Sequence, residues 1–228
     1  MTESGESAFW NYEDLILFVG AIIPAWLVGA GLVWLSRSKD DAVRALIFQA
    51  SFFLLLLGAL YVLISVRYGM PFWWSLGWVY PVRGAWWCVA AAPVLAVGTS
   101  VLGVFLHEPQ VVDPIKDLIS NRASLVIVML FVTVFGPIYE ELFFRGFLYP
   151  LLAKSLGAGG GIVMSAIPFA LLHGAQNQWA WQQIALVGVA GLVFGYARYK
   201  TCSTAASAIL HCGYNTTLFV GYLVQRSL

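Results

Sequence analysis

The chain has 228 residues, 61% of them hydrophobic and only 10% charged, with a formal net charge of +1 and a mean hydropathy of +0.83. Soluble domains carry about 25% charged residues, so this composition cannot coat a water-facing surface. The near-zero net charge and singly scattered basic residues exclude a nucleic-acid-binding protein, and Cys88, Cys202 and Cys212, without CxxC spacing, form no disulfide framework.

The N-terminus is acidic (Glu3, Glu6, Glu13, Asp14) and lacks the basic n-region of a cleaved signal peptide. Apolar runs follow at 15–35, 44–66, 85–106, 123–152, 159–173, 181–198 and 204–224. Most approach or exceed the roughly 20 residues that cross a bilayer. Their even apolarity fits helices, because the strands of a membrane barrel alternate apolar and polar residues. The expected fold is all-α: a polytopic transmembrane bundle of about seven helices (six to eight), making one integral membrane domain over residues 1–228. Residues 1–122 supply N-terminal helices and an interfacial loop, and residues 123–224 a C-terminal core. The expected location is a multi-pass position in a membrane, the cell membrane for a prokaryotic source.

Two segments need separate treatment. The stretch 68–80 contains Trp73, Trp74, Trp78 and Tyr80, and such residues favour the headgroup level. It reads as an aromatic belt along the membrane surface. The run 123–152 spans 30 residues and contains Gly136-Pro137, which is expected to kink the helix or split it in two. A hairpin there, with the N-terminus outside, places Arg37, Lys39, Arg44, Lys116, Arg122, Lys154, Arg198 and Lys200 on the cytoplasmic side and leaves Arg67, Arg83 and Arg226 outside. The positive-inside rule prefers that arrangement. A single kinked helix divides the charges almost evenly.

Most ionisable residues lie between the apolar runs, and the exceptions point to chemistry. Glu140, Glu141 and Arg145 occupy the long fourth run, His173 closes the fifth, and His211 and Asn215 share the seventh. A charged carboxylate at the centre of a membrane helix costs roughly 2.5–3.5 kcal/mol on insertion scales, so it needs a partner or a task. Glu141 and Arg145 are i,i+4 neighbours able to form an ion pair, and His211 and Asn215 share a face in the same way. Glu140 is rotated about 100° from Glu141 and is free to face a cavity. Phe169 lies one turn before His173, beneath its imidazole. Taken singly, each residue also reads as a buried structural pair, a packed core histidine or an interhelical amide bridge. His107, beside Glu108-Pro109, reads as solvated.

Glu140-Glu141-x-x-x-Arg145, Phe169-x-x-x-His173 and His211-x-x-x-Asn215 resemble, in this order, the three motifs of the CPBP family of CAAX proteases and bacteriocin-processing enzymes, also called Abi. That family includes the type II CAAX prenyl endopeptidases. The block around Glu140 is the most specific of the three, and Leu76-Gly77 is similar to a segment preceding the core in bacterial members. The resemblance implies an intramembrane endopeptidase that cleaves a membrane-bound, prenylated or otherwise lipid-modified protein or peptide. It implies Glu140 as general base, His173 as holder of the water, and His211 and Asn215 as donors to the oxyanion. Glu141, Arg145 and Phe169 support them.

The preferred chemistry, a glutamate-activated water, requires no cofactor. Zinc on Glu140, His173 and His211 is the alternative, although the HExxH pattern is missing. GxSG and GxGD are also missing, and Cys212 points about 100° away from His211 on a helix. Two other classes stand beside a protease: a non-proteolytic bacteriocin self-immunity or scaffold protein, and a small transporter. The transporter lacks the expected internal repeat.

Overall fold

A computed structural model describes residues 8–79, 85–109 and 118–227; Tyr80, Arg83 and Lys116 lie outside these. The described residues form helices α1 (Tyr12–Gly20), α2 (Ile22–Ser36), α3 (Asp41–Tyr61), α4 (Phe72–Ser75), α5 (Ala85–Phe105), α6 (Arg122–Leu130), α7 (Gly136–Glu141), α8 (Tyr149–Leu172), α9 (Trp181–Thr201) and α10 (Thr204–Ser227). Three π-helical turns, Val62–Arg67, Phe131–Phe135 and Leu142–Leu148, continue α3 and join α6, α7 and α8. Local sequence starts the rods. Asn11 and Asp14 make a capping box at α1, Asp40 caps α3, and Asn121 caps α6 with Ser124 closing the box.

Among the described residues, Tyr12–Ser36, Asp41–Arg67, Ala85–Phe105 and the stretch Arg122–Leu172 are long and apolar enough to cross a membrane. The protein is a multi-pass integral membrane protein. Its perimeter agrees, because large side chains such as Trp34 (76% exposed), Phe105 (73%) and Leu54 (68%) point outward, toward the lipid that replaces water as solvent. The interior is built on small residues. Cys88, Ala92 and Ala96 form the buried stripe of α5, and a Cβ on Gly213 of α10 would stand 2.6 Å from that of Ala92. Such close helix approach is how membrane helices gain packing energy without a hydrophobic drive between them.

The stretch 122–172 is two antiparallel rods. Gly157 has φ 72° and ψ 170°, outside the helical region. A Cβ at Gly161 would stand 2.9 Å from Ala153, whereas eight residues of straight helix rise about 12 Å. The Arg145 guanidinium lies 4.5 Å from the Phe169 ring, two positions that a straight helix would hold about 36 Å apart. The chain therefore reverses at Gly157 and brings the fourth and fifth apolar runs face to face. With that reversal the described residues form seven long rods, the number expected from the sequence.

The hairpin preferred at Gly136-Pro137 is overturned. Phe135 and Gly136 keep helical angles (φ −67°, ψ −45° and φ −58°, ψ −57°). The π-helical turn before Pro137 absorbs the missing amide donor without reversing the chain. The nearly even division of basic residues expected for a kinked helix then applies.

Gly157→Ala is expected to destabilise the protein by about 1–3 kcal/mol, because the backbone there is almost confined to glycine. Nothing lies within 4 Å of the added Cβ, so strain is the whole effect. Thermal unfolding in detergent measures it, and an unshifted midpoint would contradict the reversal at Gly157.

Candidate active site

The site is assembled on α7 and the π-helical turn after it, on the second half of α8, and on α10. Glu141 and Arg145 are completely buried, with Arg145 Nη1 donating to Glu141 Oε1 at 3.0 Å. Arg145 Nη2 donates to the Gly191 carbonyl of α9 at 2.7 Å. Its guanidinium sits among the rings of Phe169, Phe194 and Phe144, at 4.5, 5.5 and 5.8 Å from their centroids. Aromatic faces attract a desolvated cation, which offsets part of the cost of burying Arg145. Its Nε is buried without a hydrogen-bond partner among the described residues.

Glu141 also organises α10. Its Oε1 lies 3.0 Å from His211 Nδ1, and its Oε2 lies 2.7 Å from Ser207 Oγ. Ser207 Oγ is also 2.8 Å from the Phe194 carbonyl, and its single proton serves one acceptor at a time. A carboxylate accepts, so His211 Nδ1 carries the proton in this pair and Nε2 is directed elsewhere. That direction is toward Glu140, whose Oε2 lies 3.9 Å from His211 Nε2. The two adjacent glutamates thus differ in kind: the Glu141 side chain is sealed, and that of Glu140 is 25% exposed. The His211 ring stacks on Phe194 at 4.4 Å, which leaves it little freedom to turn.

His173 ends α8, with Nδ1 2.7 Å from the Phe169 carbonyl one turn earlier. A carbonyl only accepts, so this nitrogen also carries a proton and Nε2 keeps its lone pair. The ring packs on Phe169 at 4.8 Å. His173, His211, Asn215 and Phe169 line one cleft of about 350 Å³, together with Val132, Gln176 and Asn177. Asn215 Nδ2 donates to the Val132 carbonyl at 2.9 Å. That carbonyl has lost its helical donors: its π-type partner is Pro137, which has no N–H, and the Gly136 N–H is committed to Phe131. One amide hydrogen of Asn215 satisfies it, and the other is not used by that bond.

Of the site residues named from the sequence, Phe169, His173, His211 and Asn215 line the cleft, Glu140 reaches it beside His211, and Glu141 and Arg145 are buried behind them. Sequence reasoning missed Ser207, Phe194 and the Gly191 carbonyl. Ser207 was within reach, since 207, 211 and 215 repeat every four residues on one face of α10. A backbone carbonyl on another helix leaves no such trace.

As to metal, the free Nε2 lone pairs of two histidines held through Nδ1 are a chemistry that zinc sites use. The spacing is not that of a zinc site, however, because among the described residues no three His, Cys, Asp or Glu are gathered closely enough to hold an ion.

Compared with known families, residues 122–217 match the family described as Rce1-like, type II CAAX prenyl endopeptidase Rce1-like. The matched segment runs from the start of α6 into α10 and contains every site residue named above. Searches of curated proteins and of solved structures return no match.

Proposed function

We propose, on the premise that residues 122–217 form an Rce1-like type II CAAX prenyl endopeptidase domain, that the protein hydrolyses a peptide bond of a membrane-associated, lipid-modified polypeptide with Glu140 as general base. The observation that carries this reading is the asymmetry of the glutamate pair. Glu141 is spent on Arg145, His211 and Ser207, while Glu140 stands partly exposed beside His211 Nε2. A base must reach its proton, and only one of the two carboxylates is placed to do so.

The residues divide the work as follows. His173 Nε2 accepts a hydrogen bond from the water and helps hold it. Glu140 removes a proton as the water oxygen attacks the scissile carbonyl, and returns it to the leaving amine. His211, held by Glu141 at Nδ1, donates from Nε2 to the oxyanion when it is an imidazolium. The second Asn215 amide hydrogen adds a donor. No step is routed through a metal.

The surroundings suit an amphiphilic substrate. The cleft shares Val132, Gln176 and Asn177 with a cavity of about 600 Å³, whose wall includes Gln49 and Gln183. Carboxamides donate and accept, as an extended peptide backbone requires. This cavity in turn shares Leu46 and Phe131 with an almost wholly apolar one of about 360 Å³, where a lipid chain would lie.

New peptide termini in native membranes, compared by mass spectrometry between wild type and Glu140→Gln, test the proposal. Termini that vanish in the variant establish a protease and reveal its substrate class. Identical termini, with both proteins correctly inserted, would move the assignment to a non-proteolytic immunity or scaffold role.

A further inference from the structure

The aromatic loop is latched onto the residues that open α10. Thr204 donates from its backbone N–H to the Gly77 carbonyl at 2.8 Å and from Oγ1 to the Leu76 carbonyl at 2.6 Å, and Ser203 Oγ donates to the Val79 carbonyl. Leu76 is fully buried. A Cβ on Gly146 would stand 3.0 Å from the Leu76 carbonyl oxygen, so the loop rests directly on the residue that follows Arg145.

Arg198 of α9 joins the two. Its Nε donates to the Arg145 carbonyl at 3.2 Å, and its guanidinium lies 5.9 Å from the Tyr149 ring centroid. Gly77 makes room for it: φ there is +66°, and an added Cβ would stand 2.6 Å from Arg198 Nη2.

The Arg145 carbonyl needs this donor for a reason visible in the chain. It lies in the π-helical turn Leu142–Leu148, where the partner of residue 145 is residue 150, which is Pro150 and has no N–H. The neighbouring Tyr149 N–H is already committed to the Phe144 carbonyl. A buried carbonyl left without a donor is destabilising. The same device recurs at the other end of α7, where Pro137 orphans Val132 and Asn215 answers it.

We infer that Arg198 is a positioning residue. By capping the carbonyl that Pro150 orphans, it holds the π-helical turn that aims Arg145 at Glu141, and through Gly77 it ties this turn to the aromatic loop. The inference deepens the protease reading and rests on it for its kinetic consequence alone.

The full chain in liposomes is assayed with a fluorescence-quenched peptide ending in a prenylated CAAX box. Arg198→Met is expected to lower kcat about tenfold, with KM within about twofold. Pro150→Ala alone leaves kcat near wild type. In the Arg198→Met background it restores most of the lost kcat, because residue 150 then offers an N–H to the Arg145 carbonyl. A role of Arg198 in loop packing alone would not be rescued this way. Wild-type kcat in Arg198→Met, or no rescue by Pro150→Ala, overturns the inference. If the wild-type chain cleaves nothing, the protease reading fails with this probe, and the unfolding midpoint or folded yield decides the positioning role. Recovery by Pro150→Ala of the loss caused by Arg198→Met supports it, and the absence of recovery rejects it.

Discussion

Glu140→Gln is expected to lower kcat by about 10²–10⁴-fold, the usual contribution of a positioned general base, while leaving the unfolding midpoint within error of wild type. The substitution keeps shape and removes the ability to take a proton. Stability is spared because the carboxylate is partly exposed and lies 3.9 Å from His211 Nε2, beyond hydrogen-bond reach, so its loss strands no buried partner. Steady-state cleavage of a prenylated CAAX peptide, paired with thermal unfolding of the same preparations, measures both quantities. A variant that is folded and still turns over at the wild-type rate would remove Glu140 from the mechanism.

The neighbouring position is expected to behave in the opposite way. Glu141→Gln leaves the Arg145 cation buried with no countercharge at 3.0 Å, and it weakens the acceptors of His211 Nδ1 and Ser207 Oγ. Breaking a buried ion pair from one side costs about 3–5 kcal/mol, so the unfolding midpoint should fall sharply, with activity falling too. Arg145→Met should do the same from the other side, because it strands the Glu141 carboxylate. Combining the two should cost less than the sum of the single losses, since the double variant buries no lone charge. Denaturant or thermal unfolding of the four proteins gives the coupling directly. Additive losses would show that the pair does not act as a unit. The contrast between Glu140 and Glu141 is the sharper test, because adjacent residues of one type must give opposite results.

The membrane character of the chain, the seven rods of its described residues and the positions of the candidate residues were legible because they depend on local properties. Apolar run length registers bilayer thickness, and i,i+4 spacing places Glu141 beside Arg145 and His211 near Asn215 whatever surrounds them. The separate directions of Glu140 and Glu141 likewise follow from helix geometry alone.

The local disturbance expected of Gly136-Pro137 appears as a π-helical turn, and the hairpin alternative is not taken for a physical reason. Proline dictates only that a donor is missing, and what replaces it depends on neighbours distant in sequence. At Val132 the answer is Asn215, and at Arg145 it is Arg198; with those donors supplied, the helix passes each proline as a π-helical turn. In the aromatic loop, likewise, Trp and Tyr content reports affinity for the interface but not the carbonyls that Ser203 and Thr204 capture.

By itself, then, the amino-acid sequence determined an all-α membrane protein and the residue types able to do acid–base chemistry inside it, because burial cost and helical period act residue by residue. Which glutamate is sealed and which is open, which nitrogen of each histidine is engaged, and where the chain reverses are set by contacts between distant segments. Those outcomes rest on single hydrogen bonds between residues up to 70 positions apart, as from His211 to Glu141, and on a glycine whose conformation no side-chain pattern records.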